Sequence, residues 1–481
     1  MTRHVIALRG VIGWPRLLLA VMLIPAFVAG AKGEVAKPNI VVILADDLGY
    51  GDTGFNNPEC KIPTPNLDAM AGEGVRFVDA HSAGATCTPS RYGLLTGINP
   101  ARTGVLNTTL SNGRPVISEN EKTIADLLRD HGYATRMVGK WHLGFEREMK
   151  GGKPTFDFSK PLAGGPLDRG FDSFFGIHSS HGAEPYFLIC DRAAVAEPTE
   201  KTVAKNAPWA LREIAPGYDH RAVAPQMCDE ALRIIREHAA SGSGKPLFLY
   251  YAMTSPHAPW LPTAEFEGKS GIGPYGDFVM QLDAEFGRVR LALKETGMDR
   301  NTLLVFTSDN GPGPDAVEVS APSGHACAGP FRGQKSDSWE GGHRVPFLAV
   351  WPGNIPPGTT SSTPFNGTDF FATFAALVGG EASHSAVPKD SHNMLAALRN
   401  PEKRCERPPM FNTADCIREG DWKLVSKKKK AGPMATSSSS FGLYNLAEDL
   451  GESDDRSESE SARVRSMFGA YKTFISEREM K

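Results

Sequence analysis

The sequence predicts an α/β fold built on a largely parallel central sheet flanked by helices, and three observations carry that reading. First, short continuous apolar runs recur at residues 38–45 (PNIVVILA), 246–253 (PLFLYYAM) and 301–307 (NTLLVFT), with a weaker one at 134–138. They show no polar alternation and are short for helices, as expected of strands buried on both faces. Second, each run hands a polar or charged cluster to the chain that follows: Asp46-Asp47, Lys140 with His142, Ser255-Pro256-His257, and Ser308-Asp309-Asn310. In an open parallel sheet, ligands bind at that edge. Third, segments of helical spacing separate the runs, and 50 Gly and 36 Pro among 481 residues suit shaped loops better than a bundle.

The elements follow in order. Arg3, His4, Arg9 and Arg16 precede an apolar stretch, Leu17 to Val28, and the small-x-small triplet Ala29-Gly30-Ala31. This is the pattern of an export signal cleaved near residue 31. The apolar stretch is shorter than the ~20 residues that cross a membrane core. The expected divisions are therefore a signal peptide over 1–31, a main domain over 32–399 and a C-terminal subdomain over 400–481. Export places the mature chain in the periplasm or outside a bacterial cell, or in the secretory or lysosomal pathway of a eukaryote. No later stretch reads as membrane-inserted, and a net charge of −3 gives no case for nucleic acid as a partner.

After Asp46-Asp47, residues 64–74 read as a helix with Leu67 and Met70 inward, and 75–77 as a strand. The stretch Ser82 to Gly97, SAGATCTPSRYGLLTG, suits a turn or helix start whose free amides can orient an anion. Ser118-Glu119-Asn120-Glu121 has the form of a capping box, opening a helix through Ile124, Leu127 and Leu128 that stops at Gly132. Residues 151–224 lack periodicity and read as long loops around a pocket. Helices are expected at 227–238 and 278–293, a strand at 346–351 and a helix at 369–378. In the tail, CIREGDWKLV (416–425) reads as a strand, 427–440 as a flexible segment and 463–475 as a closing helix.

The chemistry-bearing residues fall into two sets. Asp46, Asp47, Asp309 and Asn310 offer only oxygen, which hard divalent ions prefer, and calcium tolerates irregular geometry better than magnesium. Arg91, Lys140, His142, His257 and Lys335 are cationic or can become so, and with a metal they suit a tetrahedral oxyanion. The cysteines, Cys60, Cys87, Cys190, Cys228, Cys327, Cys405 and Cys416, include no CxxC pair, so a structural zinc site is not indicated. Export would permit those other than Cys87 to pair, without composition choosing how.

The string CTPSR followed by LLTG resembles the signature of the formylglycine-dependent sulfatases, in the branch of arylsulfatase A and N-acetylgalactosamine-6-sulfatase. The resemblance runs through PNIVVILADDLGYGD, GKWHLG, SPHAP, TSDNG, GQK before EGG, REGDWKL and LYNL, with no departure at these positions. It implies an alkaline-phosphatase-like body with a small C-terminal antiparallel sheet plus helix, and a sulfuric ester hydrolase activity. Cys87 would be the precursor of formylglycine, converted by a formylglycine-generating enzyme. Asp46, Asp47, Asp309 and Asn310 would bind Ca2+, and Arg91 and His142 would hold residue 87. Lys140 would bridge residue 87 to sulfate, while His257 and Lys335 would bind sulfate and protonate the leaving oxygen.

The hydrated aldehyde carries two hydroxyls on one carbon. With Ca2+ and Asp309 assisting, one can attack sulfur and displace the alcohol, and the other, with His142 as base, can lose its proton and expel sulfate. A terminal or short sulfated carbohydrate is the expected substrate, with His178, His181 and His325 as candidates for its rim. An aryl sulfate is the alternative, as are a phosphodiesterase or phosphonate monoester hydrolase activity and a non-catalytic sulfated-glycan-binding role. Sequons at Asn107 and Asn366 would matter in a glycosylating host, and Lys427 to Lys430 reads as a solvated loop or a contact for a polyanion.

Overall fold

In the computed structural model, residues 37–106, 114–204, 207–379, 387–427 and 437–478 are described. The expected signal segment, the sequon at Asn107 and most of the 427–440 stretch lie outside them. Among the described residues, ten strands form one mixed sheet: β1 (Asn39–Ala45), β2 (Val75–Phe77), β3 (Ala134–Lys140), β4 (Ser173–Ile177), β5 (Ile189–Cys190), β6 (Ala193–Ala194), β7 (Leu247–Ala252), β8 (Thr302–Ser308), β9 (Phe347–Val350) and β10 (Thr359–Ser361). Their spatial order is β10-β2-β9-β8-β1-β7-β3-β4-β5-β6. The five strands from β8 to β4 run parallel, and β9 turns antiparallel against β8.

The continuous apolar character of β1 follows from its place inside the sheet. Ile40, Val42 and Leu44 face one side, where they share a core with Tyr92, Leu95, Ile124, Leu128, Phe370 and Phe374. These come from helices α2 (Cys87–Thr96), α3 (Ile124–Asp130) and α6 (Asp369–Gly379). Val41 and Ile43 face the other side, against Leu67, Met70, Met227, Leu282 and Phe286. Those belong to α1 (Pro65–Glu73), α4 (Val223–Ala240) and α5 (Pro274–Glu295). Each such side chain contributes roughly 1.5–3 kcal/mol on burial, so the central strands form a stiff base for whatever follows them.

Beyond this sheet, β11 (Cys416–Glu419), β12 (Trp422–Ser426) and β13 (Phe441–Asn445) make an antiparallel sheet covered by α7 (Ser461–Ser476). Ile417, Leu424 and Leu443 pack there on Val464, Met467 and Tyr471. Two buried charges, through Glu340 and Asp79, tie this small sheet to the main body. The Lys423 ammonium, fully buried, lies 3.0 Å from Glu340 and 2.9 Å from Glu452. Arg418 grips both oxygens of Asp79 at 2.6 Å.

Several expectations need correction. The 151–224 region is not all loop: it holds β4, whose five residues join the main sheet, and a hairpin of Glu200–Ala204 with Ala207–Ile214. The helix expected from Ser118 starts later, where Thr123 and Asp126 form the reciprocal cap of α3, and Ser118 and Glu121 close a turn before it. The segment 416–425 is two strands, because Gly420 takes a left-handed conformation (φ 59°) that reverses the chain. All seven cysteines are unpaired. Asn366 is 1% exposed and donates its amide to Asn412 Oδ1 at 2.8 Å, so that sequon cannot carry a glycan in this fold.

Candidate active site

Parallel register brings the strand-end clusters together. Ala45 pairs with Ser308 across β1 and β8, and the Asp309 amide donates to the Ala45 carbonyl at 3.1 Å, so Asp46-Asp47 and Asp309-Asn310 emerge side by side. On the other flank the Asp46 amide donates to Ser255 O at 3.0 Å, which draws in the loop carrying His257. Farther along, Ala252 pairs with Gly139, whose φ of 105° and lack of a side chain permit the approach: a Cβ there would stand 1.8 Å from the Ala252 carbonyl. Lys140, the next residue, is thereby aimed across the sheet edge.

Cys87 opens helix α2, and its Sγ lies 3.6 Å from Asp46 Oδ1 and 3.8 Å from Asp47 Oδ1. One turn on, Arg91 donates to Asp309 Oδ2 from Nε (3.0 Å) and Nη2 (2.7 Å) and to the Lys140 carbonyl from Nη1 (2.9 Å). The Lys140 ammonium contacts both Asp46 oxygens at 2.9 and 2.7 Å, and that of Lys335 both Asp47 oxygens at 2.6 and 2.7 Å. His257 Nε2 stands 3.7 Å from Asp47 Oδ2. Its Nδ1 donates to the Ala258 carbonyl at 2.5 Å, leaving Nε2 as the atom that exchanges a proton. His142 is 2% exposed, both its ring nitrogens lack partners, and its carbonyl accepts from Thr88 Oγ1 at 3.0 Å.

Three carboxylates thus face three permanent cations in a site that reaches solvent mainly at His257 and Lys335. Burial works to raise Asp46, but Lys140, His257 and Arg91 outweigh it and hold that carboxyl well below its usual range. Asp309 goes the other way: burial, reinforced by Asp46, lifts it to about 6 in spite of Arg91. His142 is pulled down by burial and then by Lys140 and Arg91, which favours a neutral ring. Burial, with Asp309 adding to it, pushes the Cys87 thiol up to about 12, so the unmodified side chain stays protonated and is a poor nucleophile near neutral pH. Backbone strain gathers here as well. Asp47 (φ 67°), His142 (φ 57°) and Ser336 (φ 76°), beside Lys335, adopt left-handed conformations that non-glycine residues rarely take.

Asp46, Asp47, Cys87 and His257 present ligand atoms that all lie within 4.8 Å of one another. Asn310 adds an oxygen: its Nδ2 donates to Asp47 Oδ1 at 2.7 Å, while Oδ1 is buried without a partner. An orphaned carbonyl oxygen beside clustered carboxylates fits a hard cation.

The three rim histidines divide. His178 is buried with both nitrogens engaged, Nε2 donating to Pro185 O (3.0 Å) and Nδ1 accepting from Arg147 (3.2 Å). His325 is likewise consumed, with Nε2 at 2.7 Å from Asp52 and Nδ1 accepting from the Lys61 amide at 3.3 Å. His181 alone of the three has both nitrogens unpartnered. Pattern reading named Lys335 but not what holds its segment, Arg332 to Arg344, in place. Arg332 donates to Glu452 O (2.9 Å), Ser338 to Asp415 (2.5 Å), and the Glu340 amide to Glu452 Oε2 (2.6 Å), so the C-terminal module anchors that segment.

The sheet edge and this balance of charge define a hydrolase-type site for an oxyanion ester with provision for a metal. A family model described as Sulfatase matches residues 38–380. The chain is 36% identical over 383 residues to arylsulfatase G of Canis lupus familiaris, covering 74% of this chain and 66% of that protein. It is 31% identical over 428 residues to an N-acetylgalactosamine-6-O-sulfatase of Bacteroides thetaiotaomicron, covering 81% and 82%. A solved structure described in terms of glycosaminoglycan metabolism by that organism superposes with a TM-score of 0.79 at 29% identity, over 92% of this chain and 100% of the other. The chain belongs to the sulfatase family. Among the described residues, no helix is long and apolar enough to cross a membrane.

Proposed function

We propose that this member of the sulfatase family hydrolyses the sulfate ester of a terminal or short saccharide, using a formylglycine made from Cys87. The observation that carries the reading is the placement of Cys87 Sγ within 3.6–3.8 Å of Asp46 and Asp47, at the start of a helix, where those carboxylates also hold the buried ammonium of Lys140 and the partly exposed one of Lys335. The thiol stands in for the aldehyde. Asp46, Asp47, Asp309 and the free oxygen of Asn310 would hold a calcium ion. When present, the ion would supply Lewis acidity toward sulfate, and the hydrated aldehyde a pair of hydroxyls.

The chain's own residues do the rest. Arg91, locked onto Asp309 and the Lys140 carbonyl, fixes the helix start against the sheet edge. Lys140 and Lys335 lie on opposite carboxylates and bind the sulfate oxygens from two sides, an arrangement that favours added negative charge at sulfur. His257, its Nδ1 tied to Ala258 O, presents Nε2 to the leaving oxygen and delivers a proton there. His142, neutral and without a hydrogen-bond partner, takes a proton from residue 87. The relatives named for saccharide and glycosaminoglycan chemistry support a sugar as the alcohol.

Peptide fragmentation of the purified enzyme, co-expressed with a formylglycine-generating enzyme, tests the core of this proposal. An aldehyde is expected at position 87, and Cys87→Ala should lose at least ~10³-fold in turnover with its thermal transition nearly unchanged. Full activity from protein whose Cys87 is an intact thiol would refute it.

A further inference from the structure

Buried polar side-chain atoms without partners are rare in folded proteins, and here several gather at one edge of the sheet. His142 follows β3, Ser179 and His181 follow β4, and Thr254 and Ser255 follow β7; each has a buried nitrogen or hydroxyl that bonds to nothing. His142 has a place in the chemistry above. His181 has none, yet it is 1% exposed with two unpartnered ring nitrogens. Stability alone would favour an apolar ring at that position, and residues that break such a rule mark functional sites.

The loop that holds His181 cannot turn away from the site. The amides of Trp141 and His142 donate to the carbonyls of Ile177 and His178, both at 3.1 Å, so the loop runs alongside the segment from Lys140 to His142. On its other side, a Cβ at Gly182 would stand 3.4 Å from Pro259 Cδ, against the turn that follows His257. The His181 ring stacks on His220 at 5.5 Å, and His220 stands edge-on to Tyr186 at 4.5 Å and Tyr218 at 5.1 Å. This aromatic wall fixes the ring plane. His181 is therefore held between it and the loops carrying His142 and His257; His220 acts on it more than His257 and Asp46 do, by its ring and by a main-chain approach that falls short of hydrogen-bonding geometry.

We propose that His181 is a specificity-determining residue that hydrogen-bonds hydroxyl groups neighbouring the sulfate ester and thereby selects a saccharide over an aryl sulfate. A neutral imidazole offers one donor and one acceptor. A sugar hydroxyl can both give and accept a hydrogen bond, so one beside the ester satisfies whichever ring nitrogen faces it, as donor or as acceptor. An aryl ester presents ring carbon at the same place and leaves that nitrogen dry. The inference rests on the sulfatase reading and deepens it, because it assigns the choice of alcohol to a residue outside the sulfate-binding set.

The test compares formylglycine-bearing wild type, His181→Phe and His181→Gln on nitrophenyl sulfate and on a panel of monosulfated galactose, N-acetylgalactosamine, glucosamine and fucose. His181→Phe should lose about 30-fold or more in kcat/KM on the best saccharide, a discrimination within reach of unpaired polar groups in a binding site. On nitrophenyl sulfate it should stay within about threefold. His181→Gln, which keeps a donor and an acceptor, should recover part of the loss, and His181→Phe should melt no lower than wild type because it removes two unpartnered polar atoms. Equal losses on both esters, no loss on the saccharide, or a wild type that cleaves only the aryl ester would overturn the assignment while leaving a sulfatase. A wild type that cleaves no sulfate ester would remove the parent reading and this inference with it.

Discussion

Glu285 offers a quantitative check on the fold that is independent of metal and formylglycine. It lies on α5 and is 4% exposed; Oε1 accepts from Gln281 at 2.9 Å, while Oε2 is buried without a partner. Burial lifts its carboxyl from 4.5 to about 7, only partly countered by Gln281 and Arg288. The folded chain therefore binds this proton more tightly than the unfolded one, and stability falls as pH rises from about 4.5 to about 7 and then levels off. A shift of about 2.5 units at 1.36 kcal/mol each is about 3 kcal/mol. Glu285→Gln abolishes the titration. The amide leaves its own buried donors unpaired, which adds a cost that does not vary with pH. The pH-dependent part of the difference is thus the readout. In a chain this long the unfolding entropy gives roughly 1 °C per kcal/mol, so the melting temperature of the variant relative to wild type should rise by about 3 °C between pH 5 and pH 8. A difference that stays flat across that interval, measured by scanning calorimetry, would mean that Glu285 is not held in a dry, uncompensated environment.

Two further outcomes follow from the buried polar groups. Calcium added to wild type at 100 times its dissociation constant should stabilise it by about 2.7 kcal/mol; Asn310→Ala, which removes the orphaned oxygen, should blunt the shift, and chelation should abolish turnover. An equal calcium response in both proteins would place the ion elsewhere. Lys423→Met should cost about 3–5 kcal/mol, because Glu340 and Glu452 would be left buried without their shared cation. Pairing it with Glu340→Gln should return part of that loss in urea unfolding, and strictly additive losses would argue against the coupling.

The parts of this fold that were legible are those in which one stretch of chain states its own environment. Ile40 to Ala45 reads as a central strand because burial on both faces leaves no polar position, and the aspartates that end it are explained by the same geometry. The strand β4 was missed because its alternation of half-buried and buried positions is not matched by residue type: Phe175 is half-buried like Ser173, and Gly176 is there because a Cβ would stand 1.9 Å from the Gly139 carbonyl. That requirement belongs to the neighbouring strand and is invisible in SFFGI alone. In the tail, the charged residues give no sign of their burial. Arg418 and Lys423 look like solvated strand residues, yet both are buried against Asp79, Glu340 and Glu452, which lie 29 to 339 positions away.

The same distinction explains why the strand-end residues could be read in advance as one cluster and the rim could not. Asp46, Cys87, Lys140 and Asp309 sit in short strings whose chemistry is unusual enough to stand out wherever the fold puts them. A loop histidine carries no such mark, and His178, His181 and His325 are equivalent on paper. Folding separates them by supplying partners: Pro185 and Arg147 occupy the first, Asp52 and Lys61 the third, and the second receives the stacked His220 but no hydrogen bond of good geometry. What singles out His181 is a deficit of hydrogen bonds, and a deficit is a property of surroundings assembled from β3, β4 and β7 together. A residue marked out in this way is the kind that sequence reading is least equipped to find, since its signal is the absence of a contact that the rest of the interior supplies.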